Sequence, residues 1–208
     1  MYTPAAFVEE DPELIAAFLV EHPMAQMVTM TADGLVATPL PMIYERGGDG
    51  LGSLVGHVAR ANRQWSASDS GVEALAIFTG ADAYISPNWY PAKAEHGKVV
   101  PTWNYETVHF RGVFVAHDET EWTRSLVTRL TDRHESQFAQ PWAVTDAPPD
   151  YIESMLKAIV GVELQVTSIQ AKRKLGQNRS AVDIAGAIAG LAEIGGPSAE
   201  VAEAMRAT

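Results

Sequence analysis

The 208-residue chain is 47% hydrophobic and 20% charged, contains no cysteine and has a formal net charge of −11. This composition supports one cored unit and excludes disulfide frameworks, thiolate metal centres and cysteine nucleophiles. The acidic field repels polyphosphate backbones, which argues against non-specific nucleic-acid binding, and no apolar run reaches the roughly 18 residues of a membrane span. The opening MYTPAAFVEEDPEL shows no basic start, apolar stretch and small-residue cleavage site, so a cytoplasmic location is expected.

In chain order, DPELIAAFLVEHP offers Asp11 as an N-cap, Pro12 at the first helical position, and Leu14, Ile15, Phe18 and Leu19 at helical spacing before Pro23, which predicts an amphipathic helix. From Ala25 to Phe78 the period changes. AQMVTM, GLVATPLPMIY, GLGSLVGHV and EALAIF read as short strands separated by turn signals at ADG and RGGDG. ADAYISP, KVVPTWNY and VHFRGVFVAH continue the β pattern, with NWYPAKAEHG as a loop after the first of them. DETEWTRSLVTRLTDRHE then places Trp122, Leu126 and Leu130 on one helical face, and PPDYIESMLKAI predicts a shorter helix. VGVELQVTSIQAKRKL alternates again and is expected to rejoin the sheet, and an Ala-rich helical tail follows, broken at GGP. The pattern is an antiparallel β-core with helices added.

Three stretches are dense in polar and aromatic residues. In GHVARANRQW, residues 56–65, a strand is expected to end near His57 and a short helix to begin around Ala59. Free N–H groups at such a junction suit an anion, and Arg60 adds a bidentate donor; the plain alternative is a surface arginine. In YISPNWYPAK, Ser86 ends a strand, Trp89 and Tyr90 are able to wall a flat ligand, and Lys93 approaches its charge; equally, the aromatics pack inward and the lysine is solvated. In KVVPTWNYETVHFRG an uninterrupted strand puts Trp103, Tyr105 and His109 on one face and Thr102 and Asn104 on the other. These polar groups need partners if buried, so each is either a satisfied core residue or a ligand contact. The one basic run, KRKLGQNR, gathers Lys172, Arg173, Lys174 and Arg179, and reads alternatively as a solvated strand end.

Other chemistries lack their patterns. GGDGLG at 47–52 reads as a hairpin turn and not as a P-loop. His134-Glu135 begins like a zinc-peptidase motif, but Phe138 stands where the second histidine belongs. No G-x-S-x-G elbow is present, and the remaining histidines, His22, His57, His96, His109 and His117, have no tight ligand spacing.

Taken together, MYTPAAF, GHVARANRQW, AYISPNWYP, KVVPTWNYETVHFRG and KLGQNR, in this order between residue 1 and about residue 190, resemble the successive signatures of the PaiB family of FMN-binding negative transcriptional regulators. The resemblance implies a mainly β fold with added helices (α+β), an FMN-binding split β-barrel related to the pyridoxine 5'-phosphate oxidase and flavin reductase barrels. It implies a single domain over residues 1–208 with a helical extension from about residue 180, and a homodimer with flavin at the subunit interface. By the same resemblance, Arg60 and Asn62 are candidates for the FMN phosphate and His57, Val58 and Ala59 for the flavin edge. Ser86, Trp89, Tyr90 and Lys93, with Trp103 and Asn104, fall near the pocket, and Lys174, Gln177, Asn178 and Arg179 close it. The chain departs from the family pattern at Arg63, where proline is expected, and at Gly176, where serine is expected.

Three functions follow as expectations. The first is a flavin-responsive negative regulator, with an indirect route through a metabolite or protein partner standing at least level with operator binding, since no basic recognition helix is evident and the chain is acidic. The second is a flavin-dependent oxidoreductase on a small molecule or nicotinamide cofactor, although no catalytic residue is identifiable. The third is a protein that binds haem or another flat cofactor, with His57 or His109 as possible iron ligands.

Overall fold

Strands with the expected alternation and helices with the expected caps appear in a computed structural model that describes residues 1–48 and 50–208. A 3-10 turn at Ala5–Phe7 leads to β1 (Val8–Glu9) and α1 (Pro12–Glu21). Asp11 caps α1, its Oδ1 accepting the Glu13 N–H at 2.8 Å. β2 (Met24–Thr31), β3 (Gly34–Pro41), β4 (Ile43–Glu45) and β5 (Ser53–Ala59) follow, then α2 (Gln64–Ala67), β6 (Ala74–Ile85) and α3 (Ala92–His96). The second half comprises β7 (Thr102–His117), α4 (Thr120–Glu135), α5 (Pro149–Leu156), β8 (Ile159–Lys174), α6 (Ala181–Ile194) and α7 (Pro197–Arg206).

The hydrogen-bonded strand order is β3-β2-β6-β7-β8-β5-β4, with β1 paired to β8, so the path has free ends at β3 and β4. This antiparallel sheet with added helices is the expected mainly β, α+β architecture. Pro39 and Pro41 lie on β3, which is a terminal strand, as their missing N–H groups require. Beyond Pro41 the Met42 N–H leaves the ladder for the Pro23 carbonyl at 2.9 Å, which splits the expected GLVATPLPMIY strand in two. Conversely, EALAIF and ADAYISP form the single strand β6, and the two expected runs after Pro101 form the single strand β7. No proline interrupts either pair of runs, so the pairing continues through both. The loop at NWYPAKAEHG is ordered as a 3-10 turn at Pro87–Trp89 followed by α3, because Pro87 and Pro91 preset helical φ angles and Gly97 ends the helix at φ 68°. β4 and β5 pair antiparallel from Glu45↔Ser53 inward; Asp49 of the expected GGDG turn lies outside the described residues.

The chain divides into two compact units, and β6, β7 and β8 each contribute to both. One unit comprises residues 19–78 and 109–169. Its sheet pairs β2 with β3 and β6, and β5 with β4 and β8. α4 lays Trp122, Leu126 and Leu130 against Ile43 and Val55, the face its spacing predicts. Phe110 meets Phe78 edge-on, with ring centroids 5.7 Å apart.

The other unit comprises residues 1–18, 79–108 and 170–208. Here the C-terminal helices complete the core. Leu191, Val201, Ala202 and Met205 are buried with Ile85, Tyr90 and Leu175. The close approach of α6 depends on glycine: a Cβ at Gly190 would lie 2.3 Å from the Trp89 indole, and one at Gly186 would lie 2.0 Å from the Trp89 carbonyl oxygen. α6 is capped by Ser180, whose Oγ accepts the Asp183 N–H, and is joined to α7 through Gly195 and Gly196 at positive φ.

Candidate functional site

The expected site residues fall in both units. His57, Val58, Ala59, Arg60 and Asn62 belong to the unit of residues 19–78 and 109–169; the other ten belong to its counterpart.

In the first group the strand outlasts the expectation. β5 runs to Ala59, a turn follows, and α2 begins only at Gln64 and lasts four residues. Asn62 organises the turn, its Oδ1 accepting the Gln64 N–H and its Nδ2 donating to Thr38 Oγ1, both at 3.0 Å. Val58 is buried in the core and Ala59 is exposed. The Arg60 guanidinium donates to Asp118 Oδ1 at 2.6 Å and to the carbonyls of Lys157 and Ile159. That pairing holds the Asp118 carboxyl below the usual carboxylate range through the hydrogen bond and the charge of Arg60. Trp65 Nε1 donates to the Arg60 carbonyl and fixes the turn from its other side.

Two atoms of this segment are left without partners. Gln64 is 3% exposed, and its Nε2 serves the Met27 carbonyl, Thr29 Oγ1 and the Val36 carbonyl, yet its Oε1 accepts nothing. His57 Nδ1 is likewise buried and unpartnered, and burial lowers the pKa of its imidazole below the ordinary histidine value, favouring the neutral ring. Of three such buried side-chain atoms among the described residues, these two come from the ten residues 56–65. A buried acceptor with no donor costs about 1–3 kcal/mol, so the concentration in one short segment calls for a ligand or water partner.

The second group is mostly committed to structure. Ser86 caps the 3-10 turn by accepting the Asn88 N–H at 3.2 Å, and Lys93 Nζ donates to Asn88 Oδ1. Trp89, half-buried, packs on α6, and Tyr90 is buried in the core, the inward packing held open alongside the ligand-wall reading. Asn104, 2% exposed, donates through Nδ2 to Met205 Sδ at 3.3 Å. Trp103 is 53% exposed and meets Tyr84 edge-on at 6.2 Å. Gln177 closes the turn after β8, donating to the Arg173 carbonyl and accepting the Leu175 N–H, and Asn178 is exposed. Lys174 donates to Thr102 Oγ1 at 2.5 Å and to the Trp103 carbonyl. The Arg179 guanidinium lies 5.1 Å from the Tyr90 ring centroid. Sequence reasoning did not single out Gln64, because its partners lie 28 to 37 residues away in the chain; it named Lys172 and Tyr105 but not their pairing, an Nζ to Oη contact of 2.6 Å between positions 67 residues apart.

Comparison with known proteins decides the family. The family model described as "Putative FMN-binding domain" matches residues 1–168. The chain belongs to this FMN-binding domain family. Within it, the chain is 34% identical over 206 residues to the Protease synthase and sporulation protein PAI 2 of Bacillus subtilis, covering 99% of this chain and 96% of that one, which makes it a PaiB-type member. Two solved structures share the fold. An FAD and heme binding protein from Mycobacterium smegmatis superposes with a TM-score of 0.57 at 18% identity, over 86% of this chain and 78% of that one. The flavocytochrome Anf3 from Azotobacter vinelandii gives a TM-score of 0.56 at 16% identity, over 86% and 74%.

FMN is therefore the cofactor that the family assigns, and the segment 56–65 fits it in part. A flavin's pyrimidine edge presents an N–H donor beside carbonyl acceptors, which is the complement of a vacant Gln64 Oε1 and a neutral imidazole nitrogen. Its phosphate fits Arg60 only by exchange with Asp118, since that carboxylate already takes the guanidinium. Gly176, where the family resemblance implies serine, stands at φ 89°, a conformation that glycine adopts without strain; nothing in the structure explains the departure at Arg63.

Proposed function

We propose that this PaiB-type protein is a flavin-responsive negative regulator of gene expression, a cytoplasmic homodimer that binds FMN through the β5–α2 segment and acts without docking on DNA itself. The observation that carries the reading is the pair of unpartnered buried atoms, His57 Nδ1 and Gln64 Oε1, in the segment whose sequence resembles the family's flavin-phosphate signature. His57 and Gln64 hold the ring edge in this reading, and Arg60, on the turn that Asn62 organises, is the phosphate donor once Asp118 is displaced. FMN supplies a redox-sensitive chromophore whose occupancy the surrounding fold reports. A net charge of −11 supports an indirect route to transcription, because a duplex is repelled by such a field.

The test separates ring from phosphate by comparing FMN with riboflavin, which lacks the phosphate. Asp118→Asn releases Arg60 and is expected to tighten FMN while leaving riboflavin unchanged; Arg60→Ala is expected to weaken FMN alone. Equal responses to both flavins in the two variants would remove Arg60 from the site.

A further inference from the structure

We infer that the unit of residues 1–18, 79–108 and 170–208 carries a second ligand site, an anion site formed by Lys172 and Lys174 around Tyr105 with Arg179, which lies over the Tyr90 ring, as the third cation, whose ligand is a compact anion of the phosphate, phosphomonoester or pyrophosphate class. The argument begins from charge. The chain has 26 acidic residues against 15 lysines and arginines, so carboxylates outnumber the cations they could pair with. Arg60, Arg124 and Arg129 all take carboxylates. On β8 itself Arg173 takes two, Glu9 and Glu106. Lys172, Lys174 and Arg179 take none among the described residues.

The strand explains the separation. Successive residues of β8 point to opposite faces, so Arg173 meets the acids on one side while Lys172 and Lys174 share the other. There they meet only neutral oxygens. Lys172, 7% exposed, donates to Tyr105 Oη at 2.6 Å and to the Tyr2 carbonyl at 3.3 Å. Lys174 donates to Thr102 Oγ1 and the Trp103 carbonyl. The two ammonium nitrogens lie 5.0 and 5.9 Å from the centroid of the same Tyr105 ring. Burial lowers the pKa of Lys174, and although Tyr105 opposes this, Lys172 and Arg179 both push in the same direction as burial. Lys172 and Lys174 thus flank one ring, and the Arg179 guanidinium lies 5.1 Å from the centroid of the Tyr90 ring. Asp183, the acid that acts on neighbouring Tyr90, has its Oδ1 engaged by the Ala92 N–H at 3.2 Å.

Holding like charges together without a counterion is unfavourable. It is relieved by an anion of more than one charge, since each ammonium has three donors and only two protein acceptors here, and the guanidinium has five donors. A single carboxylate leaves most of that positive charge uncompensated; a phosphate or pyrophosphate matches it. The site shares no residue with the β5–α2 segment, while Lys174 and Arg179 are also among the residues that the family resemblance places at the flavin pocket, and the riboflavin arm of the test separates the two readings.

The experiment is calorimetric titration and thermal unfolding with inorganic phosphate, pyrophosphate, FMN and riboflavin at fixed ionic strength, using wild type, Lys174→Gln, Arg179→Gln and, at an exposed lysine of the same unit, Lys98→Gln. Pyrophosphate is expected to bind and to raise the unfolding temperature. Lys174→Gln and Arg179→Gln should each weaken it by about tenfold or more, the scale of a lost charged hydrogen bond, while Lys98→Gln changes nothing. In the absence of any anion, Lys174→Gln should unfold at a higher temperature than wild type, because it removes the repulsion; a merely structural lysine would show the reverse. Displacement of pyrophosphate by FMN but not riboflavin identifies the flavin phosphate as the natural source, and absence of displacement identifies a separate phosphorylated metabolite. No heat with any anion, an equal shift with potassium chloride, or undiminished binding in Lys174→Gln and Arg179→Gln overturns the site, whatever FMN does at His57.

Discussion

At the residue scale, the decisive groups are those whose hydrogen-bonding state differs from what their neighbours in sequence imply. Arg60 looks like a free donor beside a helix start, but Asp118, 58 residues away, occupies it. Glu163 is a second long-range case. Its carboxylate accepts from Ser53 Oγ, and its Oε2 lies 2.9 Å from Nε2 of His117, whose ring stacks on Trp122 with centroids 3.9 Å apart. Burial works to raise the Glu163 pKa, yet the hydrogen bonds from Ser53 and His117, with the charge of His117, hold it below its ordinary value of 4.5. A depressed carboxylate contributes stability that is fully present above the unfolded-state pKa and is lost as pH falls through the folded one. Wild type should therefore lose stability more steeply below pH 4.5 than Glu163→Gln, read by urea unfolding across acid pH; parallel curves would remove the group from the acid transition. Gly176 supplies a backbone prediction. With φ at 89°, Gly176→Ser should cost about 1–2 kcal/mol in the same assay, and an unchanged midpoint would show that the turn relaxes freely.

At the element scale, the chain's local signals were legible where they are strong. Asp11-Pro12 starts α1, and the spacing of Trp122, Leu126 and Leu130 sets the face of α4. The merging of short runs into β6 and β7 was not legible, because the continuity of a strand depends on partners elsewhere in the sheet. The burial of Trp89 and Tyr90 under α6 was hidden for a similar reason: nothing local in SPNWY announces that Gly186 and Gly190, about a hundred residues later, will present a groove to an indole. That packing yields two tests. Gly190→Ala gains helix propensity but drives a methyl into Trp89, and should destabilise by about 1–3 kcal/mol; a stabilised variant would contradict the close approach. Removal of residues 180–208 should expose Ile85, Tyr90 and Leu175, raising dye binding to apolar surface and abolishing near-ultraviolet circular dichroism from the tyrosine and tryptophan of that unit. A truncated chain with native spectra would show that the helices are dispensable.

At the scale of the whole molecule, net charge and family together set the account. Membership of an FMN-binding family and an antiparallel sheet with added helices agree with the cofactor that the sequence signatures imply. No helix among the described residues is long and apolar enough to cross a membrane. At a charge of −11, any binding to duplex DNA should be weak, indifferent to sequence and abolished by moderate salt; a sequence-specific complex that survives such salt would establish direct operator binding and overturn the indirect route. The flavin edge at His57 and Gln64 is the claim on which the rest of the functional reading depends, and the most direct measurement is a fluorescence titration of the cofactor-free protein with FMN and riboflavin, run on wild type and His57→Phe. The variant keeps an aromatic ring but removes the unpartnered nitrogen, so it should fold and bind both flavins about tenfold more weakly. Saturable binding that is identical in the two proteins, or no binding by either, would contradict the account.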